Sequence, residues 1–535
     1  MPKTIITNPV LPGFNPDPSL LKVEDTYYIA VSTFEWLPGV RIYESRDLVN
    51  WEHKSDPLTD QVDLRGNPKN GSIWAPQISY SDGLYYLVYT DVKSTRRPFK
   101  DSHNYVITAP DLSGPWSEPV YLNSSGFDPS LFHDEDGKSW LLNEIWDYRM
   151  TTGNKSAGIV LQEYDRTRQA LTGPVHKIFD GTELAKTEAP HLYRHNGYYY
   201  LITAEGGTGS GHAITVCRSR SITGPYEVDP HYPTLTARDK PELPLQCSGH
   251  GSIVQSPEGK WYMAYLCTRP LGGRGAILGR ETAIQEVTWS EDGWLRLADG
   301  GNGPSLQATI ETKEPVRQVK PTDFHDDFQG NLHREWNTLR IPQDPSWCDL
   351  TSREGILRLW SGGSPHSLFD HHIVAVRQKD FFYEAETRIE YEPETFNQLA
   401  GLMLYLDDEN YLYCYLTRDE SGRVLRLLSC DGGESTLHPV MIEVGDGAMD
   451  LKVEGVGSEA RFSYRSTSQW LPVADAIPVH FLSGGFTGTY IGLAVHDMDT
   501  RSGSHADFHH FTYRGKDEER GIGQSGEWMV NFSDS

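Results

Sequence analysis

The sequence predicts an all-β protein: a five-bladed β-propeller followed by a β-sandwich of the concanavalin-like, jelly-roll kind. Three observations carry this reading. Short runs rich in aromatic and β-branched residues, such as Tyr27-Tyr28-Ile29-Ala30-Val31 and Tyr198-Tyr199-Tyr200-Leu201-Ile202, are bounded by Gly, Asp and Asn, as strands are. No long segment carries the 3.6-residue apolar period of a helix. A phrase also recurs five times in the first 300 residues: Pro18-Ser19-Leu20, Pro76-Gln77-Ile78, Pro129-Ser130-Leu131, Pro190-His191-Leu192 and Gly251-Ser252-Ile253.

Each phrase opens a unit. A turn follows it (Glu24-Asp25, Ser81-Asp82-Gly83, Asp134 to Gly137, His195-Asn196-Gly197, Pro257-Glu258-Gly259), and in most units an aromatic-rich strand comes next. Several units then reach a Gly-Pro step, at Gly114-Pro115, Gly173-Pro174 and Gly224-Pro225. The period is longer than the ~40–50 residues of common propeller repeats, which leaves room for four strands and a loop per unit. A radial propeller brings the same position of every blade to its axis. The residue before each phrase is Asp17, Ala75, Asp128, Ala189 or His250, with Glu188 one residue out of phase. Asp17 stands between Pro16 and Pro18, and a following proline disfavours helical backbone, so an extended Asp17 at a strand entry is expected. The resulting division is a propeller over 1–302, a Gly/Pro-rich linker over 303–323, a sandwich over 324–515 and a loosely ordered tail over 516–535.

Composition narrows the partners. Lys and Arg number 48 against 74 Asp and Glu, a net charge of −26. Such a chain repels phosphate backbones, so neither nucleic acid nor an anionic membrane surface is an expected partner. Aromatics at 11% suit sheet packing and also offer flat platforms for sugar rings. The six cysteines form no CxxC pair, the start shows no apolar signal segment, and no apolar run is long enough to span a membrane. A reduced, cytoplasmic chain is the simplest expectation.

Three carboxylates drawn into one pocket repel each other, so their proton affinities must separate. A glycosidase needs that division: one carboxylate as base, one carboxylic acid as proton donor. The rival reading is a divalent-ion site built from Asp17, Asp128, Glu188 and His250, although these residues are spread over separate units with no local ligand spacing. Other motifs are plainer. Asp134-Glu135-Asp136-Gly137 reads as a hairpin turn, and the Gly206–Gly211 run lacks the Lys of a phosphate loop.

The motifs FNPDPS at 14–19, STFEWLPGVRIYESRDLVNW at 32–51, SIWAPQISY at 72–80, SGFDPSLFHDEDGK at 125–138, TEAPHLY at 187–193, TAEGGT at 203–208 and LGRETAIQ at 278–285 together resemble glycoside hydrolase family 43, in its two-domain β-xylosidase branch. The resemblance implies hydrolysis by single displacement with inversion. It implies Asp17 as general base, Glu188 as general acid, and Asp128 as the residue that tunes and orients the acid. For sugar binding it points to Phe34, Trp74, Trp146, Thr208, His250 and Arg280, with Phe486 in Gly485-Phe486-Thr487-Gly488 closing the pocket. It implies short xylo-oligosaccharides as substrates and a homo-oligomer, dimer or tetramer. No cofactor is needed for the chemistry, but some members hold calcium on the propeller axis beside the histidine matching His250. The stretch 271–277 is shorter than in many relatives of the branch, which bears on pocket width and subunit contacts. A dedicated α-L-arabinofuranosidase or arabinanase is the alternative enzyme, and a silent carbohydrate-binding propeller the alternative class.

Overall fold

The protein is described by a computed structural model over residues 1–273, 275–320, 323–499 and 503–517. Apart from one 3-10 turn at Leu271–Gly273, every named element in these residues is a strand. No helix among them is long and apolar enough to cross a membrane. The chain divides into two compact units. The first comprises Met1–Val62, Asn70–Thr268 and Arg280–Lys320; the second comprises Asp63–Lys69, Arg269–Gly279 and the chain from 321 onward.

The first unit is a five-bladed propeller of antiparallel sheets. The strands lie in order within each blade: Ser19–Val23, Thr26–Val31, Arg41–Ser45 and Glu52–Ser55 in the first; Ser72–Ser81, Leu84–Ser94, Asp101–Ala109 and Val120–Asn123 in the second; Ser130–His133, Ser139–Trp146, Ser156–Asp165 and Ala170–Phe179 in the third. Glu188–His195, Tyr198–Glu205, Ala213–Ser219 and Glu227–Val228 build the fourth, with Leu235–Thr236 added on Ala213–Ser219; Gln246–Gln255, Trp261–Thr268, Glu281–Trp289 and Leu295–Leu297 build the fifth. Blades pack face to face through apolar side chains. Leu142, Ile159 and Leu161 meet Leu192, Leu201 and Cys217, and Leu20 and Ile29 join Val254, Tyr262 and Ile284 across the closure.

Polar side chains of the innermost strands tie the five blades into a ring. Ser252 accepts from the Leu20 amide at 2.9 Å, Ser19 from the Ile78 amide at 3.1 Å, Gln77 from the Leu131 amide at 2.9 Å and Tyr193 from the Ile253 amide at 3.0 Å. Ser130 donates to the Pro190 carbonyl and completes the circuit. These bonds satisfy inner-strand groups that no neighbouring strand reaches, and a buried amide left without a partner costs about 1–3 kcal/mol. Ser252 also donates to the Pro18 carbonyl at 2.7 Å and is fully buried. Ser252→Ala should therefore lower unfolding stability by about 2 kcal/mol in denaturant titration, with product stereochemistry unchanged.

The repeat has a backbone signature that differs from the proline-based expectation. Asp17, Ala75, Asp128, Ala189 and His250 all have positive φ, at 55°, 37°, 53°, 51° and 55°. Asp17 is thus not extended. A left-handed residue at each inner-strand entry turns the chain onto the axis, at a cost of roughly 1–2 kcal/mol each for non-glycine residues. Ser32 and Thr90 stabilise two of these turns by accepting from the Ala75 and Asp128 amides, at 2.8 and 3.2 Å. In the fourth blade the left-handed position falls on Ala189, so Glu188 is offset by one residue, as the alignment of the repeats indicates.

The stretch 303–323, read from composition as a linker, carries a strand. Gln307–Glu311 pairs antiparallel with Lys3–Thr7, and both belong to the propeller unit. Its alternation, with Ala308 and Ile310 buried, is too short to stand out beside the surrounding Gly and Pro. The tail is described only to Asp517; positions 518–535 lie outside the described residues.

The second unit is a β-sandwich. One sheet runs through Leu357–Trp360, His505–Gly515, Phe382–Glu390, Met449–Val456 and Glu459–Arg465; the other runs through Gly422–Asp431, Asn410–Asp419, Gln398–Asp407, Tyr490–Asp497 and Ile373–Arg377. Phe382–Glu390 alternates buried and half-buried residues beyond Tyr383, the pattern of a sheet with one face on a core. Leu357, Ala385, Leu451 and Phe508 from one sheet and Val374, Leu402, Leu412 and Leu493 from the other share that core. The six cysteines are free thiols, all but Cys247 buried.

Candidate active site

The left-handed turns and inner-strand entries deliver three carboxylates to one end of the propeller. Asp17 is almost wholly buried. Arg280 donates to both its oxygens, with Nη1 2.6 Å from Oδ1 and Nη2 3.3 Å from Oδ2, and Ser32 donates to Oδ2 at 2.6 Å. His250 Nδ1 lies 3.5 Å from Oδ1. Burial alone would raise the Asp17 pKa, but the Arg280 guanidinium, His250 and the Ser32 hydroxyl together bring it below the usual carboxylate value. Asp17 is therefore ionised over the whole neutral range.

Asp128 and Glu188 go the other way. Burial is the main cause in both. Asp128 is pushed well above the ordinary value, with the Glu188 and Asp17 charges adding to the rise. Glu188, half-buried at the start of its strand, is raised to about 7: burial and Asp17 lift it, while Lys100, Arg280 and Lys186 hold it down. Burial and the Asp17 charge thus disfavour a second negative charge on either Asp128 or Glu188.

Aromatic side chains form a continuous wall. Phe14, Phe34, Trp74, Phe127 and Trp146 follow one another with ring centroids 5.8, 5.9, 5.5 and 6.0 Å apart. The Arg280 guanidinium lies over the Phe34 ring at 5.3 Å and donates to Thr208 at 3.4 Å. Phe34, Trp74, Trp146, Thr208, His250 and Arg280 thus all belong to this one unit, around the carboxylates. Phe486 belongs to the second unit, half-buried in the loop before Tyr490–Asp497. The stretch 271–277 also falls in the second unit, and Arg274 within it lies outside the described residues.

Sequence reasoning missed Lys100. Its ammonium sits 4.1 Å from the Phe127 and Trp146 centroids and 4.8 Å from that of Trp74, a multiple cation–π arrangement. Burial lowers its pKa, against the pull of Glu144, Glu188 and Asp128. Nothing in Pro98-Phe99-Lys100-Asp101 marks it, since only the folded sheet brings it under the rings. Glu144 lies fully buried behind the Asp128 turn and accepts from the Phe127 amide at 3.3 Å. A Cβ at Gly126 would fall 1.8 Å from the Glu144 carbonyl, so no larger residue fits there.

The opposite end of the axis opens into a separate cavity of about 440 Å³, lined by inner-strand residues such as Leu21, Tyr80, His133 and Gln255. The carboxylates are not among its lining residues.

A propeller that buries carboxylates of opposed proton affinity beside an aromatic wall is the scaffold of a carbohydrate-cleaving enzyme. Family comparison agrees: residues 6–295 match the model of glycosyl hydrolases family 43, and residues 325–514 match the β-xylosidase C-terminal concanavalin A-like domain. The chain belongs to glycosyl hydrolases family 43. Among its relatives, a putative β-xylosidase of Escherichia coli (strain K12) is 43% identical, covering 95% of this chain and 99% of the relative. A xylosidase/arabinosidase 43B of Humicola insolens is also 43% identical, over 95% and 97%. The crystal structure of xylan β-1,4-xylosidase from Bacillus halodurans C-125 superposes with a TM-score of 0.92 at 49% identity, covering 95% of this chain and 100% of that one.

Proposed function

We propose that this protein is an exo-acting, inverting β-xylosidase that releases D-xylose from the non-reducing ends of short β-1,4-xylo-oligosaccharides. The observation that carries the reading is the opposed protonation of Asp17 and Glu188 within one buried, aromatic-walled site. Asp17, anionic, accepts a proton from a water that attacks the anomeric carbon from the face opposite the leaving group. Glu188, protonated, gives its proton to the glycosidic oxygen as that bond breaks. One displacement turns the β-linkage into an α-hemiacetal. Asp128, itself neutral, orients the acid and offers a hydrogen bond. Phe34, Trp74 and Trp146 cover the apolar faces of the sugar, while Arg280, His250 and Thr208 meet its hydroxyls.

The enclosure of Asp17 and Asp128, 4% and 8% exposed, suits a chain end better than a chain interior. Proton NMR of xylobiose hydrolysis tests the proposal. Released xylose should start with α above its mutarotation equilibrium, since the attacked unit adds only α to the mixed anomers of the reducing unit, and xylotriose labelled at its reducing end should lose single units from the unlabelled end. An initial β excess from the attacked unit, or internal cleavage, overturns it.

A second activity on α-L-arabinofuranosides is supported by the double name of the Humicola relative. Rates on nitrophenyl β-xyloside and α-arabinofuranoside should favour the xyloside.

The Nδ1 edge of His250 does not suit a bound cation. Its Nδ1 faces the Asp17 oxygen that Arg280 already occupies at 2.6 Å, and a guanidinium beside that oxygen repels a second positive charge. Among the described residues no group of three His, Cys, Asp or Glu side chains is arranged to hold a metal ion. The proposed mechanism assigns its steps to the side chains alone. Dialysis against a chelator should leave kcat/KM unchanged, and a loss restored by calcium would contradict this.

A further inference from the structure

The acid Glu188 follows a loop, residues 180–187, held internally by one turn, in which the Ala185 amide donates to the Thr182 carbonyl at 3.1 Å and the Leu184 amide to the Thr182 hydroxyl at 3.2 Å. Ala185 and Lys186 have φ of 60° and 53°, and Ala189 just beyond has 51°. Three non-glycine residues in left-handed conformation within five positions need an outside constraint. Glu183, Ala185 and Lys186 are exposed, so apolar packing does not supply it.

Glu205 does. It lies at the end of the next strand, fully buried, and its two oxygens accept four hydrogen bonds. Oε1 takes the Thr182 amide and the Thr187 hydroxyl, both at 2.7 Å; Oε2 takes the Thr182 and Thr215 hydroxyls, both at 2.6 Å. Three of the four donors lie on the loop, one of them on the residue next to Glu188. The Gly206 amide adds a bond to the Ala185 carbonyl at 2.8 Å. A Cβ at Gly181 would come within 2.0 Å of the Thr187 hydroxyl, so the loop closes over Glu205 only with glycine there. Ala204, beside Glu205 in the chain, is the register partner of Glu188.

We propose that Glu205 is a positioning residue for general-acid catalysis, fixing the Thr182–Thr187 loop so that Glu188 presents its proton to the leaving oxygen. Glu205 touches no substrate atom in this reading, which rests on Glu188 being the acid. Its loss lets the loop relax, and the acid then meets the glycosidic oxygen in fewer encounters. Steps that need no proton donor are untouched.

The test separates these effects by leaving group. Aryl xylosides with a good leaving group depart without help, whereas xylobiose and alkyl xylosides need the proton. Glu205→Ala should lower kcat on xylobiose by ~10–100-fold, with KM within about twofold and the dinitrophenyl xyloside rate nearly kept, as expected of a general-acid contribution. Glu205→Gln keeps an oxygen for the Thr182 amide, and the threonine hydroxyls can rotate to serve its NH₂, so it should recover most of the rate. If Glu205→Ala does not fold, Thr182→Val, which removes one loop bond to Oε2, should show the same discrimination in weaker form, and Thr215→Val, whose bond is not to the loop, should show none. Equal losses on both substrates in Glu205→Ala or Thr182→Val would overturn the proposal. Glu188→Ala is run in parallel. If it discriminates between leaving groups while the Glu205 and Thr182 variants do not, only the positioning role fails. If Glu188→Ala shows no discrimination, the acid assignment itself fails.

Discussion

Replacing Asp17 by Asn is expected to lower kcat on every xyloside by at least ~10³-fold, whatever the leaving group. The reason is electrostatic. Asp17 is the carboxylate that stays ionised among three, because Arg280 and Ser32 hold its charge in place. An amide of the same shape fills the space and cannot take a proton from water. Asn is a better choice than Ala. Arg280 is 6% exposed, and stripping it of an oxygen partner would leave a buried charge poorly compensated, at a cost of about 3–5 kcal/mol. With Asn, circular dichroism should show the fold retained and the thermal midpoint should fall less than with Ala, so the lost rate belongs to chemistry. A folded Asp17→Asn variant at full rate would remove Asp17 from the mechanism.

The second large effect is on the pH profile. Glu188 works protonated, and its pKa is raised to about 7, so kcat/KM should fall as pH rises through 7. Asp17 works ionised, and its pKa lies below 3.8, so the acid limb should fall below that pH. Between the limbs the rate should be flat. Glu188→Gln should abolish the alkaline limb and cut turnover of xylobiose by ~10²–10⁴-fold, while the dinitrophenyl xyloside loses far less. An alkaline limb that survives in Glu188→Gln would assign the titration to another group.

Much of this was legible in the chain. Five recurrences of one phrase, each followed by a turn, are enough to count the blades, because a radial array needs every unit to meet the axis alike. The same alignment puts Asp17, Asp128 and His250 at one level and Glu188 a step away. Three things were not legible, each because tertiary structure overrides a local rule. Proline after Asp17 argues for extended backbone, yet the turn onto the axis imposes φ of 55°. Gln307–Glu311 has a strand's alternation for only five residues, and its partner Lys3–Thr7 lies at the far end of the unit. Lys100 carries no motif of its own, and TAEGGT at 203–208 contains Glu205 without showing what it binds, since a cation under three rings and a carboxylate under a loop take shape only in the folded sheets.

The fivefold left-handed turn bears on how such a site can be remodelled. The backbone at Asp17, Ala75, Asp128, Ala189 and His250 turns the same way, while the side chains are of three kinds: two aspartates, two alanines and a histidine. Shape and chemistry are therefore uncoupled there: the sheet-to-sheet geometry asks only for a residue that tolerates the turn, and leaves open what it presents. Two of the five addresses hold nothing but a methyl group. Aspartate or asparagine at Ala75 or Ala189, both at ease in that conformation, would add a polar group to the axis with the frame left standing, which makes these alanines the natural places to reshape specificity.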